Sequence, residues 1–281
     1  QAPLLPAQTN LSLAGTQPLT VTNTATEPNI HSVTTGYGLL VAPTGAVIGT
    51  NGVITWTPVV NQVPSTNTFT TIVTNNNPYD LVTPSLKATN SFVVTVFAVH
   101  NEPALPVQNN VTNNELVLLT VTNTAADSDI PALPLTYSLA VTNLNTGLAV
   151  TNATIDTNGV ISWTPQQTQS PSTNRFTTIV SDGSLSATNA FIVIVREVNQ
   201  APALPSQTNL SLTGSQPLTI TNSATEPNIH SVTTGYGLLV APTGAAINTN
   251  GIITWTPAVN QVPSTNTFTT VVTNTNPFDL V

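Results

Sequence analysis

The sequence contains no cysteine and no methionine, and it has very little charge: 3 Lys or Arg and 11 Asp or Glu in 281 residues. Without Cys there are no disulfides, no thiolate nucleophile and no Cys-ligated zinc. Charged residues make up 5% of the chain, against about a quarter in an ordinary soluble domain. The polar surface is therefore built from the neutral hydroxyls and amides of Thr, Ser and Asn. A net charge of −8 disfavours nucleic acid, because binding to a polyphosphate is driven by Lys and Arg releasing counterions. The three cations, Lys87, Arg175 and Arg196, are far apart in sequence. No apolar run approaches the ~20 residues of a membrane-spanning helix. No nucleic-acid partner and no membrane insertion are expected.

The groups that carry catalysis are scarce too. His31 and His230 occupy equivalent places in "EPNIHSV", and His100 stands alone. None has a neighbouring nucleophile motif of the kind a Ser-His-Asp arrangement requires. "YGLLVAPTG" has glycines but neither the spacing nor the Lys of a phosphate loop. Lys87 is the sole Lys, and Ser186 takes its place in the second copy of its segment, which disfavours a Lys–Asn isopeptide crosslink. No enzyme is expected and no cofactor is required.

What the chain has in abundance is repetition. "GVITWTPVVNQVPSTNTFTTIVTN" begins at Gly52 and returns, slightly altered, at Gly159 and Gly251. "PLLP" at Pro3, "PALP" at Pro103 and "PALP" at Pro202 open three units. The repeats run over residues 1–99, 100–198 and 199–281. Residues 1–82 and 200–281 differ at 13 of 82 aligned positions and so share 69. The third unit stops where the first continues into "TPSLKATNSFVVTVFAV", so the sequence reads as a window on a longer chain. Periodic self-similarity of this length marks a tandem array.

Within each repeat the signal is β-strand. In "SFVVTVFAV", Phe92, Val94 and Val96 alternate with Ser91, Val93 and Thr95; in "TFTTIVT", Phe69, Thr71 and Val73 alternate with Thr70, Ile72 and Thr74. β-Branched residues dominate, and they suit a pleated, half-buried surface. Asn51-Gly52, Asn158-Gly159 and Asn250-Gly251 separate apolar runs, and Asn-Gly is the strongest short hairpin cue, with positive φ expected at both centre positions. Short strands punctuated by turns over ~100 residues predict a β-sandwich. Trp56, Trp163 and Trp255 each follow such a turn. As core anchors each would remove 150–250 Å² from water, about 4–6 kcal/mol. The competing use is an exposed sugar-stacking platform.

The succession "N-x-A-P-x-L-P", "T-A-x-D-x-D", "TNGVITWTP", "F-T-T-x-V-x-D-G" and "F-x-V-x-V-x-x-V-N" resembles the Ig-like and cadherin-like repeats of large bacterial surface proteins. The resemblance covers essentially the whole chain, and "TNGVITWTP" is its most specific block. It implies an all-β fold of tandem Greek-key sandwiches in an elongated extracellular array. It also implies calcium ligands where domains meet. Repeat two carries the candidates: Glu115, Asp127, Asp129, Asp182, Glu197 and Asn199. Calcium takes six to eight hard oxygens. Repeats one and three have Gly15 and Gly214 for Glu115, Glu27 and Glu226 for Asp127, Asn29 and Asn228 for Asp129, and Asn75 and Asn274 for Asp182. They keep one carboxylate where repeat two has four. The competing reading is that these acids cap turns by accepting backbone N–H bonds.

The neutral surface predicts contact with further copies of the chain, giving an extracellular filament, stalk or sheath. The alternative is an adhesin or a rod that binds surface glycans. Asn10, Asn110, Asn152 and Asn209 stand in N-x-S/T sequons, which a chain this rich in Asn and Thr produces by chance.

Overall fold

A computed structural model describes residues 1–280. Repeat one folds into seven strands: β1 (Leu11–Ala14), β2 (Leu19–Thr22), β3 (Val33–Val41), β4 (Val47–Ile48), β5 (Val53–Trp56), β6 (Ser65–Asn76) and β7 (Lys87–Phe97). They form two sheets, ordered β1-β7-β6-β3 and β2-β5-β4. Strand β1 runs parallel to β7 and every other pairing is antiparallel. The chain passes between the sheets, so only β4-β5 and β6-β7 pair as sequence neighbours, which is the Greek-key pattern of Ig and cadherin sandwiches.

The alternation in sequence becomes the two faces of the sheets. Phe69 and Val73 of β6 and Phe92, Val94 and Val96 of β7 are buried, and Phe69, Phe92, Val94 and Val96 pack with Leu19, Val21, Ile54 and Trp56 of the opposite sheet. Phe69 links the aromatic residues. It lies edge-on to Trp56 at 5.6 Å and stacks on Phe92 at 5.1 Å, geometries that favour aromatic pairs.

Repeat two has the same seven strands: β8 (Val111–Asn114), β9 (Leu119–Thr122), β10 (Thr136–Asn143), β11 (Thr154–Ile155), β12 (Val160–Trp163), β13 (Ser172–Ser181) and β14 (Ser186–Arg196). The sheets are β10-β13-β14-β8 and β11-β12-β9, and the trio recurs as Trp163, Phe176 and Phe191. Repeat three has five described strands: β15 (Leu218–Thr221), β16 (Val232–Val240), β17 (Ala246–Ile247), β18 (Ile252–Trp255) and β19 (Thr269–Thr275). They form the sheets β15-β18-β17 and β16-β19.

The hairpin turns differ in one respect from the expectation of two positive-φ residues. Gly52, Gly159 and Gly251 have φ of 74°, 77° and 75°, while the Asn before each does not enter the positive region. The turn opens at Gly49, whose carbonyl accepts from Gly52 N–H. The Asn51 side chain turns back to accept from Val53 N–H at 3.2 Å. A type I turn closed by one left-handed residue needs glycine only at its last position. There, a Cβ on Gly52 would come within 2.9 Å of the Asn23 carbonyl.

By compactness the chain divides into two units. One comprises Gln1–Leu105, Ala125–Thr136 and Val180–Ala187; the other comprises Pro106–Thr124, Tyr137–Ile179 and Thr188 onward. Each contains one complete junction between successive repeats, so each junction can be described within its own unit.

Candidate functional site

The first unit holds Asp127 and Asp129, on the connection between β9 and β10, and Asp182, in the turn between β13 and β14. Each offers a carboxylate oxygen, and these oxygens lie within 4.8 Å of one another. One oxygen of each residue is engaged in fixing the loops. Asp127 Oδ1 accepts from Asp129 N–H at 3.0 Å, and Asp129 Oδ1 accepts from Asn101 N–H at 2.6 Å. Asp182 Oδ1 accepts from Ser184 N–H at 2.6 Å and Leu185 N–H at 2.7 Å. The Leu185 and Ser184 amides hold the Asp182 carboxyl below its ordinary range, as donors to a charged form do.

The inward oxygens have no such donors. Oδ2 of Asp127, Asp129 and Asp182 is buried without a hydrogen-bond partner, and Asp129 and Asp182 are only 6% and 5% exposed. His100 Nδ1 lies 3.4 Å from Asp129 Oδ2. An unpaired buried carboxylate is costly, and three together repel.

The other repeats resolve the same corner without charge repulsion. In repeat one, Glu27 accepts from Thr34 Oγ1 at 2.6 Å through Oε1 and from Asn75 Nδ2 at 2.8 Å through Oε2. In repeat three, Glu226 accepts from Thr233 Oγ1 and, at 2.9 Å, from Asn274 Nδ2. Repeat two has replaced both donors: Asp182 stands for the Asn, and Pro134 stands for the Thr. Its carboxylates have lost the groups that would satisfy them. The oxygens left over are those a hard divalent cation would take.

Glu115, Glu197 and Asn199 belong to the second unit and take no part in this cluster. Strands β8 and β14 are parallel, with Asn114 opposite Arg196, so the residues that follow, Glu115 and Glu197, emerge side by side. Both are buried, at 3% and 2% exposure. Burial, then the Glu197 charge, pushes the Glu115 carboxyl up. For Glu197 burial also works upward, but the polar groups of Asn276, Ser170, Asn228 and His230 outweigh it and hold the carboxyl down. Asn228 Nδ2 donates to Glu115 Oε1 at 2.7 Å, and Asn276 Nδ2 donates to Glu197 Oε1 at 3.0 Å. His230 Nδ1 lies 3.1 Å from Glu197 Oε1. Asn199 N–H donates to Asp279 Oδ2 at 2.7 Å, and its Oδ1 accepts from Ser231. Here amides and an imidazole from repeat three meet the acids of repeat two.

The six candidates therefore fall into two groups: three aspartates close to one another, and Glu115, Glu197 and Asn199, which side-chain donors of repeat three reach although Oε2 of each glutamate, like Oδ2 of each aspartate, is buried without a partner. His100, His230, Asn228 and Asn276 join these groups although nothing in their local sequence marks them as partners. Their roles follow from the loops brought together where repeats meet.

Trp56, Trp163 and Trp255 are buried, with indole N–H donated to Thr44 O, Asn152 Oδ1 and Thr243 O at 3.2, 3.1 and 3.2 Å. None is an exposed platform. Three sequon asparagines have structural partners: Asn10 Oδ1 accepts from Val93 N–H, Asn110 Oδ1 from Ile192 N–H, and Asn152 Oδ1 from Trp163. Asn209 is exposed on a segment without regular structure.

No family model matches the chain, and no curated protein matches it. Solved structures resemble it as tandem extracellular β-sandwiches. Mouse cadherin-23 EC22-24 is 19% identical over 70% of this chain and 65% of that one, with a TM-score of 0.34. Drosophila N-cadherin EC1-4 is 13% identical over 96% and 70%, also at 0.34. An endo-fucoidan hydrolase of glycoside hydrolase family 107 is 18% identical over 98% and 41%, at 0.31. The chain thus spans less than two thirds of the length of some of these proteins. The neighbours are mainly cadherin and Ig-like adhesion-type domains. Among the described residues no helix is long and apolar enough to cross a membrane. The sandwich assignment stands on the strand order of the chain itself.

Proposed function

We propose that this chain is a stretch of a non-enzymatic extracellular bacterial array, a filament, stalk or sheath, in which calcium fixes the Asp127–Asp129–Asp182 corner. The observation that supports it is the contrast between repeats. Glu27 and Glu226 have both carboxylate oxygens satisfied by chain donors, whereas three aspartates in repeat two each keep one buried oxygen unsatisfied. A bound cation completes that corner and links the loops of repeat two to Asn101 and His100, which follow the last strand of repeat one. Glu115, Glu197 and Asn199 act instead as a hydrogen-bonded contact. Self-association through the neutral Thr- and Asn-rich surface builds the array.

Electron microscopy of the purified chain, with calcium and with chelator, tests both parts. Ordered filaments with lateral contacts are expected in calcium. Isolated strings in both conditions would remove the polymer, and identical melting curves in both would remove the ion.

An adhesin or glycan-binding rod is the second reading. Ile30, Tyr79, Leu81 and Val82 of repeat one are strongly exposed, and His31 lies edge-on to Tyr79 at 5.0 Å. Such a cluster suits an external partner.

A further inference from the structure

We infer, resting on the self-association proposed above, that β3 and β16 are the edges through which copies of this chain meet, each pairing antiparallel with β3 or β16 of a second copy. Both strands read VTTGYGLLV. Each is nine residues long, stands outermost in its sheet, and has neither charge nor proline. The other sheet edges of repeat one are shorter: β1 and β2 have four residues and β4 has two. Sandwiches blunt long edges with Lys, Pro or bulges, because unpaired N–H and C=O groups template a further strand. Here the only such device is the bulge, and bulges bound the regular runs Gly36–Leu39 and Gly235–Leu238. Among the described residues, no other segment's backbone bonds to the open side of either strand.

Repeat two shows what such an edge takes. Val141 and Trp163 are 22 positions apart, whereas Val41 and Trp56, like Val240 and Trp255, are 15 apart. The extra residues fold back on the end of β10, the edge strand of its sheet. Thr142 pairs antiparallel with Ala149, while Asn143 N–H donates to Leu148 O and Val150 N–H to Val141 O, both at 2.9 Å. Val141 packs in the core there, whereas Leu40 and Val41, and their counterparts Leu239 and Val240, are more than half exposed. Apolar side chains follow the open edge. Where repeat one exposes Leu40, and Val47 on the bordering β4, repeat two has Ala140 and Thr154. Repeat two thus supplies its own antiparallel segment, and repeats one and three present the same edge bare.

A second copy is the occupant that fits. The same sequence stands at both edges, so an antiparallel pair sets Gly36–Leu39 against its own copy or against Gly235–Leu238. No charge on either strand opposes that pairing. One such contact is small. Nine residues extend about 30 Å, and a single strand edge falls short of the roughly 800 Å² per partner that a stable dimer buries. Each of the two compact units carries one edge, so contacts within an assembly reinforce one another by avidity. A chain with two equal edges also links to more than one neighbour.

The test compares the 281-residue chain with Leu40→Lys plus Leu239→Lys, which places a cation on each edge. Val107→Lys plus Leu118→Lys adds the same charge at exposed sites elsewhere and serves as control. Sedimentation velocity over a hundredfold range of concentration, near-ultraviolet circular dichroism melts and hydrogen exchange are measured in chelator, so that calcium plays no part. Parent and control are expected to form oligomers that grow with concentration, with new protection over residues 33–41 and 232–240 and none over 136–143. The edge variant should melt as the parent does and stay monomeric to at least tenfold higher concentration, and either single edge variant should stop at dimers. Oligomers that the edge variant leaves unchanged, or protection outside these strands, would overturn the edge assignment while self-association stands. A parent that stays monomeric throughout would overturn both. The parent's protection pattern is read without any substitution, so it decides the assignment even if the edge variant melts lower.

Discussion

Asp182→Asn separates a calcium ligand from a turn cap, because the two roles predict different responses to calcium. The cap uses Oδ1, which accepts from Ser184 and Leu185 N–H at 2.6 and 2.7 Å, and an amide oxygen can replace it. The new Nδ2 would donate toward Asp127 as Asn75 donates to Glu27. Without calcium the variant gains a hydrogen bond toward Asp127 but weakens the charge-assisted bonds from Ser184 and Leu185 that hold the carboxyl low, so the two proteins should lie within about 1 kcal/mol of each other. With calcium at a hundredfold excess over its dissociation constant, the parent gains about 2.7 kcal/mol by mass action. That is a rise in melting temperature of roughly 10–20 °C for a unit of about 100 residues. The variant, with one charged ligand fewer, should show little of it. Near-ultraviolet circular dichroism melts of both proteins, in calcium and in chelator, read the difference directly. If Asp182→Asn is equally destabilised in both conditions, Asp182 is a cap and the calcium reasoning fails.

Other consequences are as direct. Glu115 has its carboxyl raised, so the stability it contributes is present below its ordinary value of 4.5 and is lost as pH rises through the raised value. Glu197 is lowered, so its contribution is present above 4.5 and is lost as pH falls through the lowered value. Glu115→Gln should therefore remove the decline above pH 4.5, and urea midpoints that fall with pH in parallel for both proteins would contradict this. Gly52→Ala places a Cβ 2.9 Å from the Asn23 carbonyl at φ 74° and should cost about 1–3 kcal/mol, read as a lower urea midpoint. Asn189→Ala removes the donor to buried Asn123 and to the Pro106 carbonyl and should cost about 1–3 kcal/mol, whereas an exposed control such as Thr112→Ala should be near neutral.

Much of the fold could be read from sequence because one copy could be checked against the next. Alternation in β6 and β7, the Trp after each turn and the glycine of each hairpin recur at matching positions, and local propensity agrees with the sandwich throughout. The positive-φ expectation at Asn51 went too far, since a side chain that caps its own turn lets the asparagine keep an ordinary backbone. The division of the six candidate ligands into two groups was not legible in the sequence for a different reason. Repeat arithmetic places Glu115 and Asp127 in one domain, but a sandwich displays its loops at two ends. The parallel pair β8–β14 carries Glu115 and Glu197 out together, and Asp127, Asp129 and Asp182 sit on other loops. Whether a carboxylate is satisfied also depends on a partner dozens of residues away. The informative substitution, Thr34 and Thr233 against Pro134, lies in an unremarkable stretch.

The two junctions use different chemistry to solve the same problem. A chain with 5% charged residues has few ion pairs with which to hold successive domains at a fixed angle. At the second junction, Asn228 donates to Glu115 and Asn276 to Glu197, with His230 Nδ1 3.1 Å from Glu197 Oε1, a contact whose two carboxyl groups respond to proton concentration. At the first, three aspartates leave oxygens that no chain donor reaches, a contact that an external cation would complete under the proposed reading. Repeats one and three are near copies, yet the corner they share, Glu27 with Asn75 and Glu226 with Asn274, is closed by amides in both. Under the calcium proposal, ion dependence would reside in repeat two alone. Transplanting the closed corner, as Asp127→Glu with Asp129→Asn, Pro134→Thr and Asp182→Asn together, should make the first junction indifferent to chelator while leaving the sandwich core unchanged. A transplant that still softens in chelator would place the calcium elsewhere in the chain.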